Sequence, residues 1–120
     1  MTWKKRIESL FATGVFSITA KLMMILCYWI LGKITDADAE ELAEECDYTF
    51  TKPTTTGVTI FTNGTTTYTI VTLITAYHDN DYSKSMIVPE QIIDMIDAIY
   101  TAGYITADEQ TALKGLGWNN

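Results

Sequence analysis

The sequence contains few of the residues from which most catalytic and metal sites are built. It has a single histidine, His78, and two cysteines, Cys27 and Cys46, which are too few for a disulfide framework and which we expect as reduced, buried thiols. No spacing of cysteine, histidine and carboxylate residues matches a zinc pattern. A glycine-rich phosphate loop and a nucleophile elbow are also missing. We therefore predict a protein that is not an enzyme and has no cofactor, metal ion or small-molecule substrate.

Positive charge is also scarce. Eight Lys and Arg residues stand against fifteen Asp and Glu residues, and the formal net charge is −7. The cations cluster only at residues 4–6, whereas seven carboxylates crowd residues 36–47. Phosphate neutralisation needs Lys and Arg on one surface, so we predict no nucleic-acid partner. At helical spacing the carboxylates spread around one face, which is typical of a solvated helix rather than of a catalytic pair.

One apolar segment, residues 18–32, dominates the chain. Its apolar side chains cover every side of a predicted helix. One face carries Leu22, Ile25, Leu26, Trp29 and Ile30, and the opposite face carries Met23, Met24, Cys27, Tyr28 and Leu31. Such a helix must be covered on all sides, by its own chain, by copies of the chain or by lipid. The sequence leaves these three alternatives open.

A membrane span is the least favoured of them. The clean apolar run, residues 22–31, is shorter than the ~20 residues that a spanning helix needs. An extension back to Leu10 gives the length, but it places Lys21 near the middle of the span. Residues 1–20 do not resemble a secretory signal, because Glu8 interrupts them and the apolar run begins late.

Five helices are predicted from helix caps and apolar periodicity. The expected N-caps are Thr2, Ser17, Thr35 and Thr106, and Pro89 suits the first turn of the remaining helix. Capping boxes are predicted at the third and fifth helices, where an acidic residue follows the cap by three positions.

One joint between helices occurs three times, at residues 14–17, 32–35 and 103–106. Each reads Gly, any residue, a large apolar residue, then Ser or Thr. The glycine suits the left-handed conformation that ends a helix, the apolar residue fills the angle between two helices, and the hydroxyl caps the next helix. Residues 7–11 also match residues 96–100, which fits either duplication of a helix–joint–helix unit or convergence on corner chemistry.

A threonine-rich hairpin is predicted between the helical segments. Residues 49–72 contain twelve threonines, and Asn63-Gly64 is a strong turn signal. We predict strands near residues 56–62 and 66–77 with a three-residue loop that pairs Thr62 with Thr66, because a one-residue slip would exchange the buried and exposed faces. A polar loop is expected at residues 78–83.

Together these signals predict an α+β fold in a single domain, residues 1–120. A small bundle of about five helices would comprise residues 1–47 and 89–117, joined by the Gly-x-Ile/Phe-Ser/Thr corners. The Thr-rich antiparallel hairpin would occupy residues 55–77.

The joints also give the chain a family resemblance. It resembles XkdX-type short proteins of phage and prophage tail gene clusters, which have a short helix with an aromatic residue, a glycine turn, a second helix, and a Gly-x-Ile-Thr joint before an acidic helix. The residues that carry the resemblance are Trp3, Phe11, 14–16, 32–35 and 40–42. It covers about the first 46 residues, with a similar motif near residues 100–116. The hairpin has no counterpart in that family, and the central helix is longer and more apolar.

The resemblance and the composition predict a non-enzymatic phage virion or tail-associated structural or adaptor protein. It would act through protein–protein assembly with itself or with larger virion proteins, in the host cytoplasm and then in the virion. Fixed binding surfaces favour Trp, Tyr and Met. The expected contact residues are Met23, Met24, Tyr28 and Trp29 on the central helix and Phe61 and Tyr68 on the hairpin. The same six residues could instead form the core of the chain.

Two other functions fit parts of the sequence. A small phage membrane protein of the holin or anchor type would place residues 10–31 in the bilayer, with residues 4–6 on the inner side. A winged-helix regulator would also have three helices followed by a hairpin. Its third helix would read DNA, however, and here that helix is the most acidic segment.

Overall fold

Helices and an antiparallel sheet share the part of the chain that the computed structural model describes, residues 2–80 and 87–118. The helices in this part are α1 (Trp3–Ala12), α2 (Ile18–Ile30), α3 (Asp36–Glu45), α4 (Ile70–Asn80), α5 (Pro89–Thr101) and α6 (Ala107–Lys114). The strands β1 (Thr49–Phe50), β2 (Thr59–Thr62) and β3 (Thr67–Thr69) form one sheet in the order β1-β2-β3. The predicted α+β class is confirmed, with one helix and one strand more than the sequence predicted.

Helix α2 lies at the centre, and its own chain covers it. Residues 22–27 have no exposed surface, and α2 packs against α3, α4 and α5. The alternative of cover by the same chain is therefore the one that the structure shows. Across the described ranges, no helix has both the length and the apolar character that a membrane span requires. Residues 10–31, which the membrane alternative would place in the bilayer, are divided between α1 and α2, with Ser17 capping the second helix.

The three predicted joints form where the sequence placed them. Gly32 and Gly103 have φ angles of 78° and 86°, in the left-handed region where a side chain would be strained. In each case the next residue donates its N–H to a carbonyl five positions earlier, as Lys33 does to Tyr28 and Tyr104 does to Ile99. This shared bonding makes the second and third joints close structural equivalents.

Capping and burial complete these two joints. Thr35 and Thr106 accept hydrogen bonds from the N–H groups three positions on, and the carboxylates of Asp38 and Glu109 accept from the cap N–H groups in return. Both predicted capping boxes are confirmed. The apolar residues of the joints, Ile34 and Ile105, are buried.

The first joint is more open than the other two. Ser17 caps α2 by accepting from the Ala20 N–H at 3.2 Å, as predicted. Phe16 is only half-buried, however, and Val15 is 71% exposed. Because α1 is a peripheral helix, little of the chain is available to cover this corner.

The second predicted strand, residues 66–77, is wrong over most of its length. Strand β3 ends at Thr69, and α4 begins at the next residue. The buried side chains of α4 are Ile70, Leu73, Ile74 and Tyr77, which have the spacing of one helix face. Burial of this face outweighs the strand preference of Ile, Val and Thr. The helix also includes residues 78–80, which were predicted as loop, while residues 81–83 of that loop lie outside the described residues.

A reciprocal threonine pair accounts for the start of α4. The Thr72 N–H donates to Thr69 Oγ1 at 3.2 Å, and the Thr69 N–H donates to Thr72 Oγ1 at 2.8 Å. This arrangement satisfies two backbone donors at the helix start, as a capping box does. The three-residue spacing of the two threonines was the sequence signal for this helix.

The hairpin forms at Asn63-Gly64, but its predicted register is wrong. Thr62 pairs with Thr67 rather than Thr66, so the loop has four residues. Asn63 Oδ1 accepts from the N–H groups of Thr65 and Thr66 at 2.9 and 2.7 Å, which stabilises the longer loop.

An irregularity in β2 explains why the register could not be predicted from the alternation of buried and exposed side chains. The pairing shifts between Thr59 and Phe61, and both Ile60 and Phe61 are fully buried. In a regular strand, neighbouring side chains point to opposite faces, so only one of the two would point inward. The sheet also contains β1, in which Phe50 pairs with Phe61.

Candidate interaction surfaces

Most of the six predicted contact residues lie in the core of the chain. Met23, Met24 and Phe61 have no exposed surface, and Tyr28 and Trp29 are buried. Tyr68 on β3 is half-buried and packs 6.2 Å from Tyr48, ring centre to ring centre. The five buried residues therefore pack within the chain, and among the six only Tyr68 lies partly at the surface.

Trp29 connects four parts of the fold. Its indole N–H donates to Asp36 Oδ1 at 2.7 Å, which links α2 to the start of α3. Its ring stacks on Tyr104 of the third joint at 5.9 Å and meets Phe50 of β1 edge-on at 5.2 Å. The hydrogen bond from Trp29, with a smaller contribution from Lys52, lowers the pKa of Asp36.

The two thiols are free and unreactive in character. Cys27 is fully buried, and burial raises its pKa to about 12. Cys46 is half-buried, and burial raises its pKa to about 11. A thiol reacts as the thiolate, so both cysteines are protonated at neutral pH and act as small apolar groups. Cys27 is buried as expected, whereas Cys46 is only half-buried.

A cleft of about 420 Å³ lies where α5, α6 and the C-terminal segment meet. Its lining includes Glu90 and Asp94 of α5, Lys114 of α6 and Trp118. The Trp118 indole N–H donates to the Leu113 carbonyl at 2.9 Å, which fixes this wall of the cleft. Within residues 2–80 and 87–118, no group of three or more His, Cys, Asp or Glu side chains is placed to hold a metal ion.

The sheet presents an uncharged, hydroxyl-rich surface. The exposed threonines of its strands and of the residues directly adjoining them are Thr49, Thr51, Thr65, Thr66 and Thr67, which we call the threonine surface. From residue 48 to residue 72 the only charged side chain is Lys52, which forms an ion pair with Asp36 at 3.3 Å. Strand β3 has a neighbour on one side only within the described sheet. The N–H and the carbonyl of Thr69 already bond to Thr72 Oγ1, so the open edge of β3 is confined to the residues before Thr69. A cleft of about 520 Å³ adjoins this surface at Tyr48.

Unpaired positive charge is concentrated beside α1. Arg6 and Lys33 lie over the ring of Trp3, at 5.2 and 5.7 Å from its centre, and Lys5 is exposed next to them in the chain. Within the described ranges, none of these three cations has a carboxylate oxygen within 4.0 Å. We call Trp3, Lys5, Arg6 and Lys33 the cationic patch.

Unpaired negative charge lies on the neighbouring helix α3 and just after its end. Glu40, Glu44 and Asp47 are exposed, and no described cation lies within 4.0 Å of their carboxylates. We call these three residues the acidic patch. The sequence contains no Lys or Arg between residues 34 and 51, so this helix offers nothing that would neutralise DNA phosphates, as a winged-helix reader requires.

The seam between α1 and α3 is itself crowded with charge. Lys4 Nζ contacts the carboxylates of Glu41 and Glu8. The pKa of Glu45 is raised, mainly by partial desolvation and then by the adjacent Glu8. Lys4 therefore pairs with carboxylates of both helices, and it does not neutralise the acidic patch.

Both charge clusters are evident in the sequence, but their proximity in the fold is not. The basic residues 4–6 and the acidic residues 36–47 were evident, and their adjacency depends on how α1 packs against α3. Comparison with protein families, curated proteins and solved structures finds no match for this chain.

Proposed function

We propose that the chain is a non-enzymatic virion or tail-associated structural or adaptor protein of a phage. It would be made in the host cytoplasm and would act by binding a larger virion protein as the particle assembles. The resemblance of its joints to the XkdX-type layout supports this setting, and the surface of the folded chain supports the mode of action.

The observation that carries the proposal is the threonine surface. The chain has a net charge of −7, yet the five threonines carry no charge, and the unpaired carboxylates beside them, Glu44 and Asp47, lie in the adjoining cleft. Another protein can therefore cover the threonines themselves without desolvating an ion. The start of strand β3, at Thr67, adds a short open edge that can pair with an extended segment of the partner, with Tyr68 half-buried beside it as an anchor. The partner best suited to this face has an exposed strand of low charge.

The test is incorporation into particles. Particles would be purified from the phage or lysogen that encodes the chain, and the chain would be quantified in them by mass spectrometry. Thr67→Lys places a charge on the exposed edge of β3, where lysine blocks edge pairing without loss of core contacts. Thr111→Lys is the matched control, because it makes the same change at an exposed position of α6.

We expect the native chain in particles at a fixed ratio to other virion proteins. Thr67→Lys should lower that ratio by about tenfold, which corresponds to about 1.4 kcal/mol of binding free energy. Thr111→Lys should leave it unchanged. Absence of the native chain from purified particles would refute the proposed function, and equal incorporation of the two variants would refute the role of the threonine surface.

A further inference from the structure

The cationic and acidic patches lie mainly on adjacent helices of the same chain, with Lys33 just before α3 and Asp47 just after it. Helix α1 packs against α3, and Lys4 bridges them through Glu41. Lys5 and Arg6 are exposed on α1, and Glu40 and Glu44 are exposed one turn apart on α3. The surface of this helix pair therefore changes sign from one helix to the next.

We propose that this surface is a contact between two copies of the chain, in which the cationic patch of each copy lies against the acidic patch of the other. A two-fold axis between the helix pairs brings both patches of both copies into contact at once. The inference rests on the proposed function, since it assigns one of the contacts through which the protein assembles. The acidic patch adjoins the threonine surface, since Glu44 and Asp47 line one cleft with Thr49, but the charged side chains of this contact are distinct from those threonines.

Charge complementarity identifies the occupant as a second copy. Among the described cations, Lys4, Lys52 and Lys114 already have carboxylate partners. The cationic patch holds three of the remaining cations on a protein with a charge of −7. Two such proteins repel each other in most orientations, and the contact that relieves this repulsion pairs this patch with an acidic one. The acidic patch supplies three exposed carboxylates of matching number.

Trp3 adds an apolar contribution to the contact. Its ring is half-buried, lies 5.1 Å from the ring of Tyr28, and is flanked by Arg6 and Lys33. A tryptophan framed by cations offers both apolar area and charge to an incoming acidic helix. Exposed ion pairs alone are weak and are screened by salt, so the contact should respond strongly to ionic strength.

The test uses sedimentation equilibrium on the full chain with two charge-reversed variants. Lys5→Glu/Arg6→Glu makes both patches acidic, and Glu40→Lys/Glu44→Lys makes both patches basic. Each variant alone should be monomeric, whereas an equimolar mixture should restore the dimer, because each cationic patch again meets an acidic one. Circular dichroism of each variant establishes that it is folded.

The matched control is Glu90→Lys/Asp94→Lys. It reverses two exposed carboxylates at the same four-residue spacing on α5 and changes the net charge by the same amount. This variant should dimerise at least as well as the native chain. For the native chain, raising NaCl from about 0.05 M to about 0.5 M should increase the dimer dissociation constant at least about tenfold.

A native chain that stays monomeric at low salt would overturn the inference, as would folded variants whose mixture fails to associate. Dimers of the native chain that are unaffected by both reversals would also overturn it. None of these results bears on incorporation of the native chain into particles, so a failure here is distinguishable from a failure of the proposed function.

Discussion

Replacement of Ile25 by Ala tests whether the chain alone covers α2. Ile25 has no exposed surface and lies in the middle of the helix that the other elements surround. Truncation of a fully buried Ile to Ala costs about 2–5 kcal/mol, because apolar contacts are lost and a cavity is left. The greater helix propensity of Ala returns only a few tenths of a kcal/mol. We therefore expect a loss of about 3 kcal/mol in the free energy of unfolding.

The expected shift in melting temperature follows from the size of the chain. At about 2.1 cal/mol/K of unfolding entropy per residue, a loss of about 3 kcal/mol corresponds to about 12 °C for 120 residues. Ile18→Ala is the matched control, since it makes the same substitution on the same helix at a position that is 37% exposed. It should cost about 1 kcal/mol or less.

Urea denaturation at several protein concentrations separates cover by the chain from cover by a partner. If the chain covers α2, the loss caused by Ile25→Ala is the same at every concentration. Similar losses for the two variants, or a loss for Ile25→Ala that appears only at high concentration, would refute the reasoning.

Three further predictions concern single contacts. Trp29→Phe removes the indole donor to Asp36, so it should cost about 1–2 kcal/mol and raise the pKa of Asp36 toward its ordinary value, as measured by NMR titration. Asp97, whose pKa is lowered by hydrogen bonds from α6, should contribute stability that is complete above pH ~4 and is lost as the pH falls through its lower folded-state pKa. Asp97→Asn should therefore flatten the acid limb of the stability curve, and an unchanged limb would contradict this. Thr106→Ala removes the acceptor for the Glu109 N–H and should cost about 1 kcal/mol in urea denaturation; a cost near zero would contradict the capping role.

The joints could be predicted from the sequence because their physics is local. A glycine with positive φ, a hydroxyl cap and an acid three residues later act within one turn of chain, so Thr35 and Thr106 were placed correctly with their capping boxes. The exposure of the first joint was not predictable in the same way. Burial of Phe16 depends on whether another element reaches that corner.

The segment after the hairpin shows where local signals conflict. Its threonines and β-branched residues favour a strand, while Ile70, Leu73, Ile74 and Tyr77 have helical spacing. The helix forms because its four apolar side chains can all be buried on one side of α4, which packs against α2. The register of the hairpin failed for a related reason, since the irregularity in β2 lets Ile60 and Phe61 both enter the core.

The candidate site could be predicted only in part. Aromatic and methionine residues were chosen because they are common at interfaces, and the same properties make them good core residues, as Met23 and Met24 show. The threonine surface follows from composition together with one hairpin signal. The pairing of the cationic and acidic patches needs the contact between α1 and α3, which no local pattern encodes.

The measurement that tests the account most directly is hydrogen exchange of the backbone amides of α2 by NMR. The experiment uses Lys5→Glu/Arg6→Glu, which lacks the proposed dimer contact. If the same chain covers this helix on all sides, amides near Leu22 and Leu26 exchange only through global unfolding and are equally protected over a ~100-fold range of protein concentration. Protection that falls away on dilution would show that α2 is covered by another subunit, and it would contradict the account.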